Sequence, residues 1–439
     1  MVSRLYEQQE RSYSQYCYFI RSYVHTYMSK LPTEPYKGVR YFYPEDQATQ
    51  NYIFGRMRGT AESFGYTEFS ASILEPVELY RGKTSEEIVN EQMYVFKDKG
   101  DREVALRPEM TPSVARMVAA RRRDLGFPLR WYSIPNVFRY ERPQKGRLRE
   151  HWQLNCDIFG VSGIEAEVEI ITLAYRIMKS FGAKDEDFEI RLNNRELIKK
   201  HLEDALVSEE KYGEAMQLLD KREKMSKENF NSAWGEISDK PMQDIGESES
   251  IKNLLQALRK NGVPNCRYES SLVRGFDYYT GTVFEVFDTN PENKRSLFGG
   301  GRYDNLLELF GEEKIPAVGF GMGDVTMKDF LQTRGLLPAY VSSTHVLLAS
   351  LPDAEQDFVN KLADELRHKG VNVATDFTGK KAGDIIKTAD KQKTAYIIFI
   401  GSREMEAGTF TMKHLPTGRE QVATRTELPT LILNSTVEG

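Results

Sequence analysis

The stretch VFRYERPQKGRLREHWQLNCDIFG, residues 137–160, decides the predicted fold. Its two ends, residues 137–141 and 151–160, alternate polar and apolar side chains, as antiparallel strands with one wet face do. The charged residues between them, 142–150, predict a mobile loop that joins the two strands into a hairpin. We therefore expect an antiparallel sheet with this hairpin near its centre.

Polar side chains of several kinds share one face of this hairpin. Arg139 and Glu141 lie on one face of the first strand, and the second strand presents His151, Gln153, Asn155 and Asp157. So many kinds of polar side chain on one face indicate a ligand that forms hydrogen bonds with them. A solvated hairpin at the edge of a sheet is the alternative. A guanidinium on a rigid strand suits bidentate phosphate binding, and the basic loop suits a polyphosphate or a nucleic-acid backbone.

Composition and charge limit the classes of protein. The 439 residues indicate about three structural units, and 40% hydrophobic with 28% charged residues is ordinary for a soluble globular chain. A net charge of −5 excludes a uniformly basic nucleic-acid coat but not a local basic surface. The longest apolar runs, such as residues 395–400, are too short to cross a membrane.

Cysteine and histidine usage predicts neither a disulfide scaffold nor a zinc site. Cys17, Cys156 and Cys266 stand far apart without a CxxC pair, and no HxxxH pair occurs. Because disulfides belong to oxidising compartments, this usage favours a cytoplasmic protein.

The chain divides by texture into an α+β core and a smaller final domain. Residues 1–34 are interpreted as an N-terminal extension, since six tyrosines crowd the first 27 positions. Residues 35–335 are the predicted core, within which about 194–262 read as a charged helical insertion. Residues 340–439 form the predicted C-terminal domain.

The C-terminal domain alternates strands and helices. The predicted order is strand 345–350, helix 354–368, strand 371–375, helix 382–391 and strand 395–400. Such an alternation predicts a parallel sheet covered by helices, an α/β domain. Five lysines surround its second helix, which indicates either a solvated face or an RNA contact: Lys380, Lys381, Lys387, Lys391 and Lys393.

Four ordered motifs resemble those of class II aminoacyl-tRNA synthetases of the histidyl type. Residues 138–147, FRYERPQKGR, resemble motif 2, and residues 106–111, LRPEMT, resemble the histidine-binding segment. Residues 272–279, LVRGFDYY, resemble the second histidyl signature, and residues 299–304, GGGRYD, the segment ahead of motif 3. The resemblance runs from about Pro35 to the C-terminus, where the last domain is similar to the shared anticodon-binding domain.

The resemblance implies a histidine–tRNA ligase. Such an enzyme activates histidine with ATP, forming histidyl-adenylate and pyrophosphate, and then transfers the histidyl group to the 3′ end of tRNA(His), releasing AMP. It is expected to be a cytoplasmic homodimer without a membrane anchor. Mg²⁺ is expected to be held mainly by the ATP phosphates, with no protein ligands assigned.

The resemblance also implies roles for individual residues. Arg139 would bind the α-phosphate and the substrate carboxylate, and Arg274 would stabilise the charge that develops during adenylation. The residues implied for histidine are Glu109, Thr111, Gln153, Asp157, Tyr278 and Tyr279; those for ATP are Arg139, Glu141, Arg147 and His151; those for the tRNA acceptor end are Arg142 and Gln144. A structural ion pair is the alternative for Arg274, and core packing is the alternative for the two tyrosines.

Three departures from the family pattern leave other functions open. Thr326 stands where motif 3 ends in arginine, Ser72 where motif 1 has proline, and His151 where an aromatic ring stacks on adenine. Without the motif 3 arginine, ATP binding is expected either to be weaker or to use another arginine, such as Arg302. The alternatives are a non-catalytic paralogue, such as a regulatory subunit of ATP phosphoribosyltransferase, or a synthetase for another amino acid. The complete set of site residues and the trailing domain argue against the paralogue, and the second histidyl signature argues against a synthetase for another amino acid.

Overall fold

The computed structural model describes residues 31–82, 84–85, 87–144, 146–222, 225–241, 246–274, 278–293 and 295–435. The chain falls into two compact units. The first contains the described residues up to Tyr43 together with Gln50–Leu336, and the second contains Pro44–Thr49 and the chain from Leu337 onward. Residues 1–30 of the predicted N-terminal extension, with Cys17, lie outside the described residues.

Twelve strands are described in the first unit. They are β1 (Thr67–Glu68), β2 (Leu74–Pro76), β3 (Tyr94–Lys97), β4 (Glu103–Leu106), β5 (Leu129–Ser133), β6 (Asn136–Phe138), β7 (Glu150–Phe159), β8 (Phe188–Asn194), β9 (Cys266–Tyr268), β10 (Thr282–Asp288), β11 (Ser296–Arg302) and β12 (Ala317–Gly323). Nine of them form one sheet in the order β1–β5–β7–β12–β11–β10–β8–β9, with β6 paired to β7 off this path. Only β1–β5 and β8–β9 are parallel pairs among these strands, so the predicted antiparallel core is confirmed.

Helices accompany this sheet. Up to residue 336 they are α1 (Pro44–Ser63), α2 (Glu78–Arg81), α3 (Thr111–Arg121), α4 (Glu165–Ser180), α5 (Arg195–Asp204), α6 (Tyr212–Lys221), α7 (Lys227–Ile237), α8 (Glu249–Lys260) and α9 (Asp324–Thr333). A π-helical turn spans Ile88–Gln92, and 3₁₀ turns span Asp185–Asp187, Glu209–Lys211 and Leu306–Phe310. Helix α4 packs on β7 and β12, which carry the candidate site.

The predicted hairpin is present, but its first strand is shorter than expected. Strand β6 ends at Phe138, which pairs with Glu150, and the Arg139 N–H still donates to the Arg149 carbonyl at 2.9 Å. The Tyr140 N–H instead donates to the carbonyl of Gln92, in the π-helical turn, at 2.6 Å. Glu141 therefore does not continue the strand, and the predicted shared strand face of Arg139 and Glu141 is wrong.

The charged middle of the chain is helical, as its periodicity predicts. Helices α5, α6 and α7 share an apolar cluster of their own, which includes Ile198, Leu219 and Trp234. Helix α8 instead packs against α4, β8 and β9, and so belongs with the helices that cover the large sheet. Asn194 begins this region because its side chain accepts hydrogen bonds from the backbone N–H groups of Glu196 and Leu197, which caps α5.

A small separate sheet is formed by β2, β4 and β3, in that order. Arg107, which follows β4, is buried and donates hydrogen bonds to the carbonyls of Ala71, Ser72 and Asn136. These bonds hold the segment ahead of β2, including Ser72, against the beginning of the hairpin.

The second unit contains a five-stranded mixed sheet. Its elements are β13 (Val346–Ser350), α10 (Gln356–His368), β14 (Val373–Asp376), α11 (Ala382–Lys391), β15 (Tyr396–Ile400), α12 (Ser402–Ala407), β16 (Thr409–His414), β17 (Glu420–Thr424) and α13 (Leu428–Ser435). The order is β14–β13–β15–β16–β17, and the first three strands are parallel. The predicted α/β alternation is confirmed, whereas the antiparallel hairpin β16–β17 was not foreseen. No helix in the described parts of either unit is long and apolar enough to cross a membrane.

Candidate active site

A pocket opens over the large sheet where β7, β11 and β12 lie side by side. It holds about 380 Å³ of space, including its open mouth. Its lining residues are Glu109, Thr111, Arg139, Gln153, Asn155, Asp157, Arg274, Tyr278, Tyr279, Tyr303, Gly319, Phe320 and Gly321. Eight of these were predicted from the sequence as binding or catalytic residues, although they are spread over 170 positions from 109 to 279.

Glycines form the floor of this pocket. A Cβ at Gly319 would lie 2.1 Å from the Asp157 carboxylate, and one at Gly321 would lie 2.6 Å from the Gln153 amide nitrogen. Any larger residue at these two positions of β12 would collide with a polar side chain of β7. The alternating glycines therefore allow Asp157 and Gln153 to lie flat against the neighbouring strand, at the bottom of the pocket.

Among the described residues, Asp157 is one of two buried carboxylates that line the pocket. Its side chain accepts a hydrogen bond from the Tyr303 hydroxyl, and the residue is only 3% exposed. Burial raises the pKa of Asp157 to about 7, with the Tyr303 bond opposing the shift. Tyr303 was not predicted as a site residue. It lies one residue past β11, within the glycine-rich motif of residues 299–304. Membership of that motif is the signal by which the sequence could have identified it.

Glu109 is the second buried carboxylate of the lining. It is 2% exposed and accepts hydrogen bonds from the Thr84 hydroxyl at 2.7 Å and the Tyr278 hydroxyl at 3.2 Å. The Tyr278 hydroxyl also lies 3.4 Å from the Thr111 hydroxyl. Burial raises the pKa of Glu109 above its usual value. Thr84 was missed because it lies 25 residues before Glu109 in a stretch without a recognisable motif.

Arg139 and Arg274 are the two arginines that line the pocket. The Arg139 Nε donates to the carbonyl of Pro108 at 2.9 Å, which ties it to the segment that carries Glu109. Arg274 has a positive φ of 62° and forms a 2.7 Å ion pair with Glu285 on β10. The ion-pair alternative for Arg274 is thus partly realised, but the same side chain also lines the pocket. Residues 275–277 of this signature lie outside the described residues.

The other predicted nucleotide residues lie outside this lining. Glu141 and Arg147 form an ion pair with each other at 3.1 Å. Desolvation, with the charges of Arg139 and Arg40, lowers the pKa of His151 to about 3, so its ring is neutral near pH 7. Arg142 and Gln144, which are predicted to contact RNA, are exposed. Lys145, which follows Gln144, lies outside the described residues.

The structure removes one proposed replacement for the motif 3 arginine. Arg302 is buried and forms a two-nitrogen ion pair with the equally buried Glu167, so it is committed to the core and does not line the pocket. Thr326 itself donates from its hydroxyl to the carbonyl of Leu297 at 2.7 Å. The suggestion that Arg302 contacts ATP is therefore wrong.

Comparison with known families and curated proteins agrees with the motifs. A family model described as histidyl-tRNA synthetase matches residues 38–233 and 224–324, and a model described as anticodon binding domain matches residues 345–435. The histidine–tRNA ligase of Leptospira biflexa is 42% identical over 410 residues, which cover 88% of this chain and 94% of that protein. The histidine–tRNA ligase of Thermoplasma volcanium is 36% identical over 432 residues, which cover 92% of this chain and all of that protein.

Solved structures share the fold. Histidyl-tRNA synthetase from Nostoc sp. PCC 7120 superposes with a TM-score of 0.78 at 23% identity, over 92% of this chain and all of that one. The apo histidyl-tRNA synthetase of S. aureus gives a TM-score of 0.71 at 25% identity over the same shares.

Proposed function

The chain belongs to the histidyl-tRNA synthetase family, and from that premise we propose how its pocket performs the reaction of a histidine–tRNA ligase. It activates histidine with ATP and transfers it to tRNA. The observation that carries the assignment is the gathering of Glu109, Asp157, Arg139 and Arg274 around one glycine-floored pocket. The regulatory-subunit alternative is not favoured by the curated relatives, which are named histidine–tRNA ligases.

Histidine fits between the two buried carboxylates. We propose that Glu109, with Thr111, Tyr278 and Gln153, binds the α-amino group. Asp157 then accepts a ring N–H of the imidazole, with Tyr279 beside it and Tyr303 as the donor that orients the carboxylate. A ligand without the ring nitrogens gives the buried Asp157 carboxylate no donor besides Tyr303, so it should be strongly rejected.

Adenylation is a displacement at phosphorus, for which the protein supplies position and positive charge. The histidine carboxylate attacks the α-phosphorus, the bond to the bridging oxygen breaks, and pyrophosphate leaves with the electron pair. We propose that Arg139 binds both the carboxylate and the α-phosphate, while Arg274, held by Glu285, offsets the charge that develops on that phosphate. The terminal ribose hydroxyl of tRNA then attacks the activated carbonyl, and AMP leaves.

Residues of the hairpin are the proposed contacts of the adenine base and the outer phosphates of ATP. We propose that Glu141 binds the adenine amino group, His151 stacks on the base as a neutral ring, and Arg147 contacts the outer phosphates. The described residues bring no three candidate metal ligands together. Mg²⁺ would accordingly enter with ATP, bound mostly by the phosphates, and supply charge neutralisation there.

RNA contacts come from two separate surfaces. Arg142 and Gln144 are exposed on the hairpin, where we propose that they face the acceptor end. In the second unit, exposed lysines around α11 provide a basic face for the anticodon loop: Lys380, Lys381, Lys387, Lys391 and Lys393.

We propose a cytoplasmic homodimer whose contact uses the β2–β4–β3 sheet. The register of the strands places Leu74, Phe96 and Val104 on one face of this sheet. Phe96 pairs with Val104 and Leu74 pairs with Leu106. Val104 and Leu106 are two residues apart on β4, so their side chains point to the same face. Leu74 is 44% and Phe96 47% exposed. An exposed apolar sheet face of this kind is typical of an interface.

Histidine-dependent exchange of pyrophosphate into ATP tests the function. The purified chain should catalyse exchange with histidine and not with the other amino acids. No exchange from a folded protein would exclude the enzyme.

Asp157→Ala tests the imidazole assignment. This variant should lose histidine binding while its KM for ATP stays near that of the parent. Unchanged histidine affinity would contradict the placement of the ring at Asp157.

A further inference from the structure

A second cavity lies against the turn of the hairpin. It holds about 720 Å³ including its open mouth, and its walls come from the hairpin turn, the β10–β11 loop and the first turns of α9. Gln144 and Gly146 contribute from the turn, Arg295 from the loop and Thr326 from the helix. Of the described residues that line it, Gln144 alone has been given a role above.

The small side chain of Thr326 leaves the helix side of the cavity without a positive charge. The Thr326 hydroxyl donates to the Leu297 carbonyl, which turns the side chain toward β11. A Cβ at Gly146 would lie 3.6 Å from the Thr326 methyl, so the hairpin turn packs directly on this residue. A nucleotide-binding turn thus meets α9 at a threonine rather than at a cation.

Arg295 is the one cation among the described residues that line the cavity, where two carboxylates, Glu292 and Asp329, also lie. Its Nη2 donates to the Gln144 side-chain oxygen at 3.1 Å. Gln144 in turn exchanges backbone hydrogen bonds with Arg147 at 3.1 and 2.9 Å. Arg295 therefore contacts the same tight turn that carries Arg147, the residue proposed to contact the outer phosphates.

We propose that Arg295 binds the terminal phosphates of ATP and supplies from the β10–β11 loop the charge that Thr326 lacks. This proposal rests on the ligase function given above. On binding, Arg295 exchanges the neutral Gln144 amide oxygen for a charged phosphate oxygen, and charge-assisted bonds to phosphate are the stronger kind. Without Arg295, the charged groups that remain among the described lining residues are the carboxylates of Glu292 and Asp329.

Arg295→Ala in the full chain tests the proposal through pyrophosphate exchange. The KM for ATP should rise about 10- to 100-fold, the loss expected for a charge-assisted hydrogen bond, while the KM for histidine stays unchanged. Arg295→Lys, which keeps the charge without the fork, should give an intermediate KM for ATP. Arg58→Ala, which removes an exposed arginine paired with Glu68, is the matched control and should behave as the parent.

A second variant places a positive charge on the helix side of the cavity, at position 326. Thr326→Arg in the Arg295→Ala background should recover at least part of the ATP affinity, measured by both exchange and direct ATP binding. No recovery would mean that Arg295 acts elsewhere and would overturn the proposal.

The outcomes separate this proposal from the function beneath it. A parent chain without exchange activity contradicts the ligase function itself. If the parent catalyses exchange and the Arg295→Ala variant has the same KM for ATP as the parent, only the role of Arg295 is overturned. Loss of tRNA charging with intact exchange would assign Arg295 to RNA and overturn the proposal equally.

Discussion

At the scale of single residues, two buried carboxylates are the groups that we propose select the ligand of the pocket. Asp157 and Glu109 are 3% and 2% exposed, and burial raises the pKa of each. Burying a carboxylate costs folding free energy, and a ligand N–H that donates to it offsets part of that cost on binding. The proposed selectivity for an N–H-bearing ligand rests on this burial.

Asp157 should make folding pH-dependent. Its carboxyl has an ordinary pKa of 3.8 and a folded pKa of about 7, so the folded chain holds the proton more tightly. The stability present below about pH 4 is lost as pH rises toward 7, by about 1.4 kcal/mol per unit across that window. Asp157→Asn should escape this loss. Thermal midpoints of both chains from pH 4.5 to 8 check it: the variant's advantage should grow up to about pH 7 and then level off, and a constant difference would contradict it.

Arg274→Gln should slow adenylate formation while histidine still binds. Removing one donor to a developing negative charge costs about 10²- to 10³-fold in rate, and the glutamine still offers Glu285 a hydrogen bond. Single-turnover adenylate formation at saturating histidine and ATP measures the rate, and titration with histidine alone measures binding. An undiminished rate would leave Arg274 with only its structural ion pair.

At the scale of elements, the site depends on how β7 and β12 lie against each other. Gly319 is the direct partner of Asp157 across these strands, and Gly321 the partner of Asn155. The other face of β7 carries Leu154 and Cys156, both fully buried in the core. The strand therefore cannot shift away from β12 to make room for a larger residue there.

Gly319→Ala should displace Asp157 and weaken histidine binding. The added methyl would lie 2.1 Å from the carboxylate oxygen and 2.8 Å from the Cys156 carbonyl, and overpacking of this kind implies a KM for histidine about 10- to 100-fold higher. Gly323→Ala on the same strand is the control, because its nearest contact would be 3.7 Å away, at the Thr326 hydroxyl. Equal histidine KM values for the two variants would contradict the close contact.

At the scale of the whole molecule, the chain consists of two units, each with its own core. The first carries the pocket and the apolar face of the β2–β4–β3 sheet. The second carries the lysines around α11. The net charge of −5 is compatible with the proposed RNA-binding surfaces because the basic residues concerned are few and grouped.

Phe96→Asp should dissociate the proposed homodimer. The substitution removes an aromatic ring from the interface in both protomers and buries a charge there, which should raise the dissociation constant at least about 100-fold. Sedimentation across protein concentrations measures the effect. Val422→Asp, at a 65% exposed apolar position on β17, should leave the assembly unchanged. A monomeric parent, or a Phe96→Asp dimer of parental affinity, would exclude this face as the interface.

Local patterns in the sequence were enough for most of the fold. The alternation of residues 151–160 predicted β7, and the strand–helix order of residues 345–400 predicted most of the second unit. Both are short-range signals, because the direction of a side chain depends on the period of its own strand or helix. The β16–β17 hairpin and the early end of β6 were missed. Strand β6 ends early because the Tyr140 N–H donates to the carbonyl of Gln92, which lies in a turn far away along the chain.

The sequence by itself determined the residue types of the site and their order along the chain, from Glu109 to Tyr279. Only the tertiary structure decided the partners: Tyr303 for Asp157 across 146 residues, Thr84 for Glu109, and Glu167 for Arg302. Such pairs depend on which strands become neighbours and in what register, and a shift of one residue would turn each side chain to the opposite face. That is why Arg302 is held in the core while Arg295, in an unremarkable loop, stands at the hairpin turn.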